Sequence, residues 1–169
     1  VRASIARQPA SPIPAVIALA HVQGSGYTSY TSCGYGTGRY SVVTGFDIET
    51  NDDIERLRKL PMVRDVVTLN RILLPRDLNS GVDIRSAAGA VHADMTLVYT
   101  FDTRFTEDNF ASPLSVVTLG LFPSVTAKVR TTASAALLDT RTGYVYATAE
   151  GSSNASQLAN SWTSRQAAD

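Results

Sequence analysis

The chain has 169 residues, 44% of them apolar, with 15 basic against 15 acidic side chains and a formal net charge of zero. That length sustains a buried core without cross-links, and the neutral balance offers no basic footprint for nucleic acid or an anionic membrane surface. Cys33 is the only cysteine, which excludes an intrachain disulfide and a cysteine-rich zinc site, and no apolar run reaches 18 residues.

In chain order, Arg2 to Pro14 reads as a linker, because Pro9, Pro12 and Pro14 oppose regular structure. Ala15 to Gln23 (AVIALAHVQ) is an almost continuous apolar run, the pattern of a strand buried on both faces. Gly24 to Gly38 is dense in Gly, Ser, Thr and Tyr and reads as a long loop; Arg39 to Thr44 reads as a short strand whose edge could pair with another subunit. Thr50-Asn51-Asp52-Asp53 opens a helix: Thr50 or Asn51 caps it, the acids suit the positive end of its dipole, Ile54, Leu57 and Leu60 form its apolar stripe, and Pro61 ends it.

Arg64 to Leu74 is β-branched and apolar enough for a strand, ended by Pro75. Ser80 and Asp83 cap a second helix through Val91, with Ala87, Ala88 and Ala90 on its packing face, and Met95 to Phe101 gives the next strand. From Pro113 the pattern becomes antiparallel, with strands over Leu114 to Phe122 and Val125 to Leu138. Asp139-Thr140-Arg141-Thr142-Gly143 then forms the turn of a hairpin whose second arm is Tyr144 to Ala149. Ser153 to Asp169 reads as a helix that continues beyond the end, with Leu158 and Trp162 four apart. The expected fold is α+β: residues 15–169 as one domain, a two-layer sandwich in which two or three helices cover a mixed sheet ending in an antiparallel meander.

Chemistry is sparse. A nucleophile-and-base pair would have to come from Cys33 and His21, His92 standing apart, and nothing in the spacing brings them together. Gly24, Gly26, Gly34, Gly36 and Gly38 lack the strand-to-helix turn of a dinucleotide fingerprint and the Gly-Lys-Ser/Thr ending of a phosphate loop. The same loop carries Tyr27, Tyr30 and Tyr35 and leads to Arg39, a composition found on adaptable binding surfaces, so these four are the candidate binding residues. No catalytic residue, metal ligand or cofactor is expected.

The phrases VTLNRILLPRDL (67–78), HADMTLVYTFDTRF (92–105), PLSVVTLGLFPSVTAKVRTTASAALLDTRTGYVYATAEGS (113–152) and QLANSWTSRQAAD (157–169) occur in order over most of the chain beyond Arg39. In these the chain resembles the bacterial rhombotarget lipoprotein family. More distantly, its strand–helix order ending in LLDTRTG is similar to that of the curli secretion-channel lipoprotein and of activators of peptidoglycan synthases. The resemblance implies an envelope protein of the periplasm or outer membrane, held by an upstream lipid anchor; Cys33, being internal, is not the anchor cysteine. Together with the lack of an acid/base or metal cluster, it leads to the expectation of a non-catalytic domain that binds or scaffolds a protein partner. A fold-level likeness brings no site residues with it. Two other readings stay open: a small hydrolase or thiol enzyme using Cys33 and His21, and a small-ligand binder using loop 24–38.

Overall fold

In the computed structural model, which describes residues 8–26, 34–44, 50–109 and 125–159, with backbone alone at 105–109, 125–127 and 156–159, the apolar run becomes strand β1 (Ala15–Gly24). The other elements are β2 (Gly34–Tyr35), β3 (Tyr40–Val43), helix α1 (Asn51–Arg58), β4 (Val63–Thr68), a 3-10 turn (Arg71–Leu73), helix α2 (Gly81–Ala90), β5 (Met95–Asn109), β6 (Val125–Asp139) and β7 (Val145–Ala159). The chain divides into two compact units, Val1–Thr100 with Ser134–Ala149 and Phe101–Ala133 with Glu150–Asp169.

The seven strands form one mixed sheet in the order β2-β3-β1-β5-β6-β7, with β4 also paired to β1. Along one edge β1 meets β4 in parallel (Ile17↔Val66, Leu19↔Thr68) and then β3 in antiparallel register (His21↔Val43, Gly24↔Tyr40). Its other edge runs parallel to β5 (Ile17↔Met95, Leu19↔Leu97, His21↔Tyr99). The connection from β1 to β4 crosses the sheet one way and that from β4 to β5 crosses back the other way. Parallel crossovers share one hand, so reversing direction puts their helices on opposite faces.

The core obeys that rule. Ala18 and Ala20 of β1 point into a cluster with Ile84, Ala87 and Ala88 of α2. Ile17 and Leu19, alternating with them, point into a second cluster with Ile54 of α1, Val66 and Met95. A helix therefore lies on each face at the sheet's centre, where the sequence reading had a two-layer sandwich. The unbroken apolar run of β1 is what two covered faces require.

The helices α1 and α2 start as their sequences dictate. Thr50 Oγ1 accepts the Asp53 N–H (3.3 Å) while the Asp53 carboxylate accepts the Thr50 N–H (3.1 Å). Ahead of α2, Asp83 accepts the N–H groups of Asn79 (3.0 Å) and Ser80 (2.9 Å). The Thr50 hydroxyl, which also donates to the Asp53 carboxylate (2.7 Å), and then the Thr50 N–H hold Asp53 below the ordinary carboxylate range, and the Asn79 and Ser80 N–H groups do the same for Asp83. The end of α2 is closed by the N–H of His92 bonded to Gly89 O and that of Ala93 bonded to Ala88 O, each at 3.0 Å, with His92 at φ 57°. This is the left-handed closing residue of a Schellman motif, where glycine is favoured. His92→Gly is accordingly expected to raise stability by about 1 kcal/mol, measured as an upward shift of the urea midpoint.

Several expectations need correction. The strand expected over Arg64–Leu74 stops at Thr68, because the Asn70 side chain accepts the Ile72 N–H (3.0 Å) and turns the chain into the 3-10 segment. The helix expected from Ser153 is strand as far as Ala159, since this stretch continues β7 beside the fifteen-residue β6, and Ser153 and Asn154 have little helix preference to oppose it. Residues 160–169, including Trp162, and the strand expected over Leu114–Phe122 lie outside the described residues. The segment Arg39–Thr44 does not offer an open edge: β3 is paired with β1 on one side and with β2 (Gly34↔Val43, Tyr35↔Val42) on the other. Nor does the lead into β1 run free throughout, because Ala10 and Ser11 are hydrogen-bonded to the body.

Candidate functional site

Two polar assemblies stand out among the described residues, a buried hydrogen-bonded cluster and a cleft. The first is the β6–β7 turn. Asp139 is fully buried, and its carboxylate accepts five hydrogen bonds: Oδ1 from the N–H of Arg141 (3.0 Å) and Thr142 (2.8 Å), and Oδ2 from Ala10 N–H (2.7 Å), Ser11 Oγ (2.8 Å) and the Tyr146 hydroxyl (3.1 Å). Gly143 at φ 69° donates its N–H to Asp139 O (2.9 Å) and completes the turn. Burial pushes the Asp139 carboxyl up, but the donors of Thr142, Ala10, Ser11 and Tyr146 outweigh it and hold the group far below its ordinary value. An acid so depressed has no proton to give near neutral pH, and its oxygens are committed. Asp139 is a clasp.

The clasp extends to neighbouring strands. Thr140 donates its N–H to Asp94 O (3.1 Å), and Arg85 of α2 donates to Thr140 O (3.1 Å) and Arg141 O (3.3 Å). Asp94 in turn accepts the Val16 N–H (2.9 Å) and an Arg64 N–H (3.1 Å). The Thr96 and Thr140 hydroxyls bond to each other at 2.9 Å in the interior. Thr96→Val removes one partner and leaves a buried hydroxyl unsatisfied, so it is expected to cost about 1–2 kcal/mol in urea denaturation. The double variant Thr96→Val/Thr140→Val should cost less than the two single changes added together, because both unsatisfied groups leave at once.

The second assembly is a cleft of about 380 Å³ on the α1 face, over the middle of β1 and at the carboxyl ends of β3 and β4. Leu19, Ile54 and Leu69 supply apolar wall, and Thr44, Thr68, Asn70 and Arg71 supply polar groups. His21 and Tyr99, paired across β1 and β5, stack with centroids 5.2 Å apart and planes 16° from parallel. His21 is buried, and its Nε2 lies 3.1 Å from Gln23 Nε2.

Of the residues expected to bind, Tyr35 sits half-buried on β2 and packs against the α2-side core, away from this cleft. Arg39 is exposed, and its backbone N–H donates to Asn79 Oδ1 (3.2 Å). Tyr27, Tyr30 and Cys33 lie outside the described residues. His21 thus reaches the cleft as part of an aromatic stack, and His92 serves the backbone. Reading the sequence overlooked Thr68, Asn70, Arg71 and Tyr99; the available signal was positional, since ligand crevices in parallel sheets form beyond the carboxyl ends of the strands. Among the described residues no group of three His, Cys, Asp or Glu side chains is placed to hold a metal ion, and no helix is long and apolar enough to cross a membrane.

No protein-family model and no curated protein matches the chain. Among solved structures it is similar to the LpoB C-terminal domain from Salmonella enterica, with 12% identity over 83% of each chain and a TM-score of 0.37.

Proposed function

We propose that the chain is a non-catalytic domain of a bacterial cell-envelope lipoprotein of the rhombotarget type, carried on an upstream lipid anchor in the periplasm or at the outer membrane, and that it binds or scaffolds a protein partner. The family and location rest on the sequence phrases at 67–78, 92–105, 113–152 and 157–169. The helices covering the sheet act as its support.

The observation that carries the partner-binding reading is β7. Among the described residues it ends the strand order, it is fifteen residues long, and its side chains are exposed from Ala147 to Ala155. Small and polar residues dominate there, with no lysine and no proline to blunt the edge. An edge strand of that length presents backbone donors and acceptors to an incoming strand. The polar cluster at Asp139 points the same way, because its groups are used up in holding the hairpin that β7 belongs to.

Site-specific photo-crosslinking in cells tests this. A benzoylphenylalanine at Ser152 is expected to give a discrete adduct with one envelope protein, while the same group at Arg56, exposed on α1, gives none. No adduct at Ser152, or equal yields at both positions, would count against the reading.

A further inference from the structure

We propose that the cleft over the middle of β1, at the carboxyl ends of β3 and β4, is a binding site for a small carboxylate with an aromatic or branched apolar body, of the size of a single N-acylated amino acid. The topology makes the crevice. β4 stops at Thr68, opposite Leu19, and from His21 onwards the same edge of β1 is taken by β3, so a gap opens between the end of β4 and the end of β3. The crossovers out of β1 and out of β4 run over opposite faces, which leaves the carboxyl end of β4 open for a ligand to enter.

The lining sets the chemistry. Leu19, Ile54 and Leu69 offer an apolar wall, and the stacked His21–Tyr99 pair offers a flat one, which together suit a ring or a branched chain. At the rim, Arg71 is exposed and makes no ion pair among the described residues. A guanidinium beside an apolar cavity is matched by a carboxylate, which it can engage with two parallel N–H groups. The acidic start of α1 does not cancel it: neither Asp52 nor Asp53 lines the cleft, and Asp53 is engaged by Thr50 and Arg56. Thr44 and Thr68, also in the lining, add hydroxyl groups of the kind that hydrogen-bond an amide. A volume of about 380 Å³ is near the lower end of small-ligand sites, about 300–1,000 Å³, so the occupant is small.

The test is an NMR titration of the full chain with N-acetyl-L-phenylalanine and, separately, with N-acetyl-L-phenylalaninamide, which has the same ring but no charge. The acid is expected to shift backbone amides of Leu19 to His21 and of Asn70 to Arg71, and to bind roughly five- to tenfold more tightly than the amide. Arg71→Gln should erase that difference while leaving the amide's affinity unchanged. Thr68→Trp, a change at an exposed rim position, should block both probes while the spectrum away from the cleft stays native. Absence of shifts up to about 10 mM probe would overturn the proposal. So would acid and amide binding equally in the native chain, or shifts that persist in Thr68→Trp. Partner binding through β7 is separate: Ser152 crosslinks should be unaffected by Thr68→Trp whichever way the titration falls.

Discussion

Asp139→Ala is expected to cost about 3–5 kcal/mol of folding stability, among the largest single effects available in this chain. The change strands the N–H groups of Arg141, Thr142 and Ala10 together with two hydroxyls that now converge on one buried carboxylate. Urea denaturation measures the loss, and a cost under 1 kcal/mol would show that the turn holds its shape without the carboxylate. The pH dependence has a definite sign. The folded carboxyl lies below its ordinary value of 3.8, so the folded state stabilises the ionised form. That contribution is complete above the unfolded value and disappears as pH falls from there towards the folded one. Asp139→Asn has no such charge, and its stability should fall less steeply below about pH 4 than that of the native chain.

Leu78→Ala is the second large effect, expected at about 3–4 kcal/mol. Leu78 is wholly buried in the α2-side cluster and lies under the segment that leads from β2 to β3. That segment is fastened to the Leu78 loop by Thr37 N–H to Arg76 O (2.8 Å) and Tyr40 N–H to Leu78 O (3.0 Å). Contact between the two backbones is so close that a Cβ on Gly38 would come within 2.6 Å of Leu78 N and C and closer still to its carbonyl oxygen. Removing the leucine side chain therefore opens a cavity that the pinned loop cannot close. Gly38→Ala tests the same contact from the other direction: one added methyl should cost about 1–3 kcal/mol, because a backbone has to move. If thermal unfolding found Gly38→Ala neutral, the close approach would be wrong.

Much of the fold was legible because it is written locally. The run Ala15–Gln23 marked a strand covered on both sides, Thr50 with Asp53 and Ser80 with Asp83 marked helix starts, and Asp139 to Gly143 marked a hairpin turn. What escaped was non-local. Asp139 looked like an ordinary turn residue, because Ala10 and Ser11, nearly the whole chain away, supply donors that no window around the turn contains. The stretch from Ser153 was misread because neighbouring β6 overrides a weak intrinsic preference, and β4 was drawn too long because Asn70 breaks a pattern that hydrophobicity alone continues. The cleft draws on residues from β1, β4, β5, α1 and the 3-10 turn, which meet only once the crossovers are known.

The pairing of β1 with β5 also has a cost in time. Ile17 must wait for Met95, about 80 positions further on, before that edge of its strand is satisfied. At ribosomal speeds of about 5–20 residues per second this leaves the stretch AVIALAH without that neighbour for roughly 4–16 s after it is made. A seven-residue apolar segment with no full charge and no proline is the kind that associates with copies of itself. During synthesis, then, the segment that later anchors the sheet spends seconds exposed to other chains, where a chaperone would shield it.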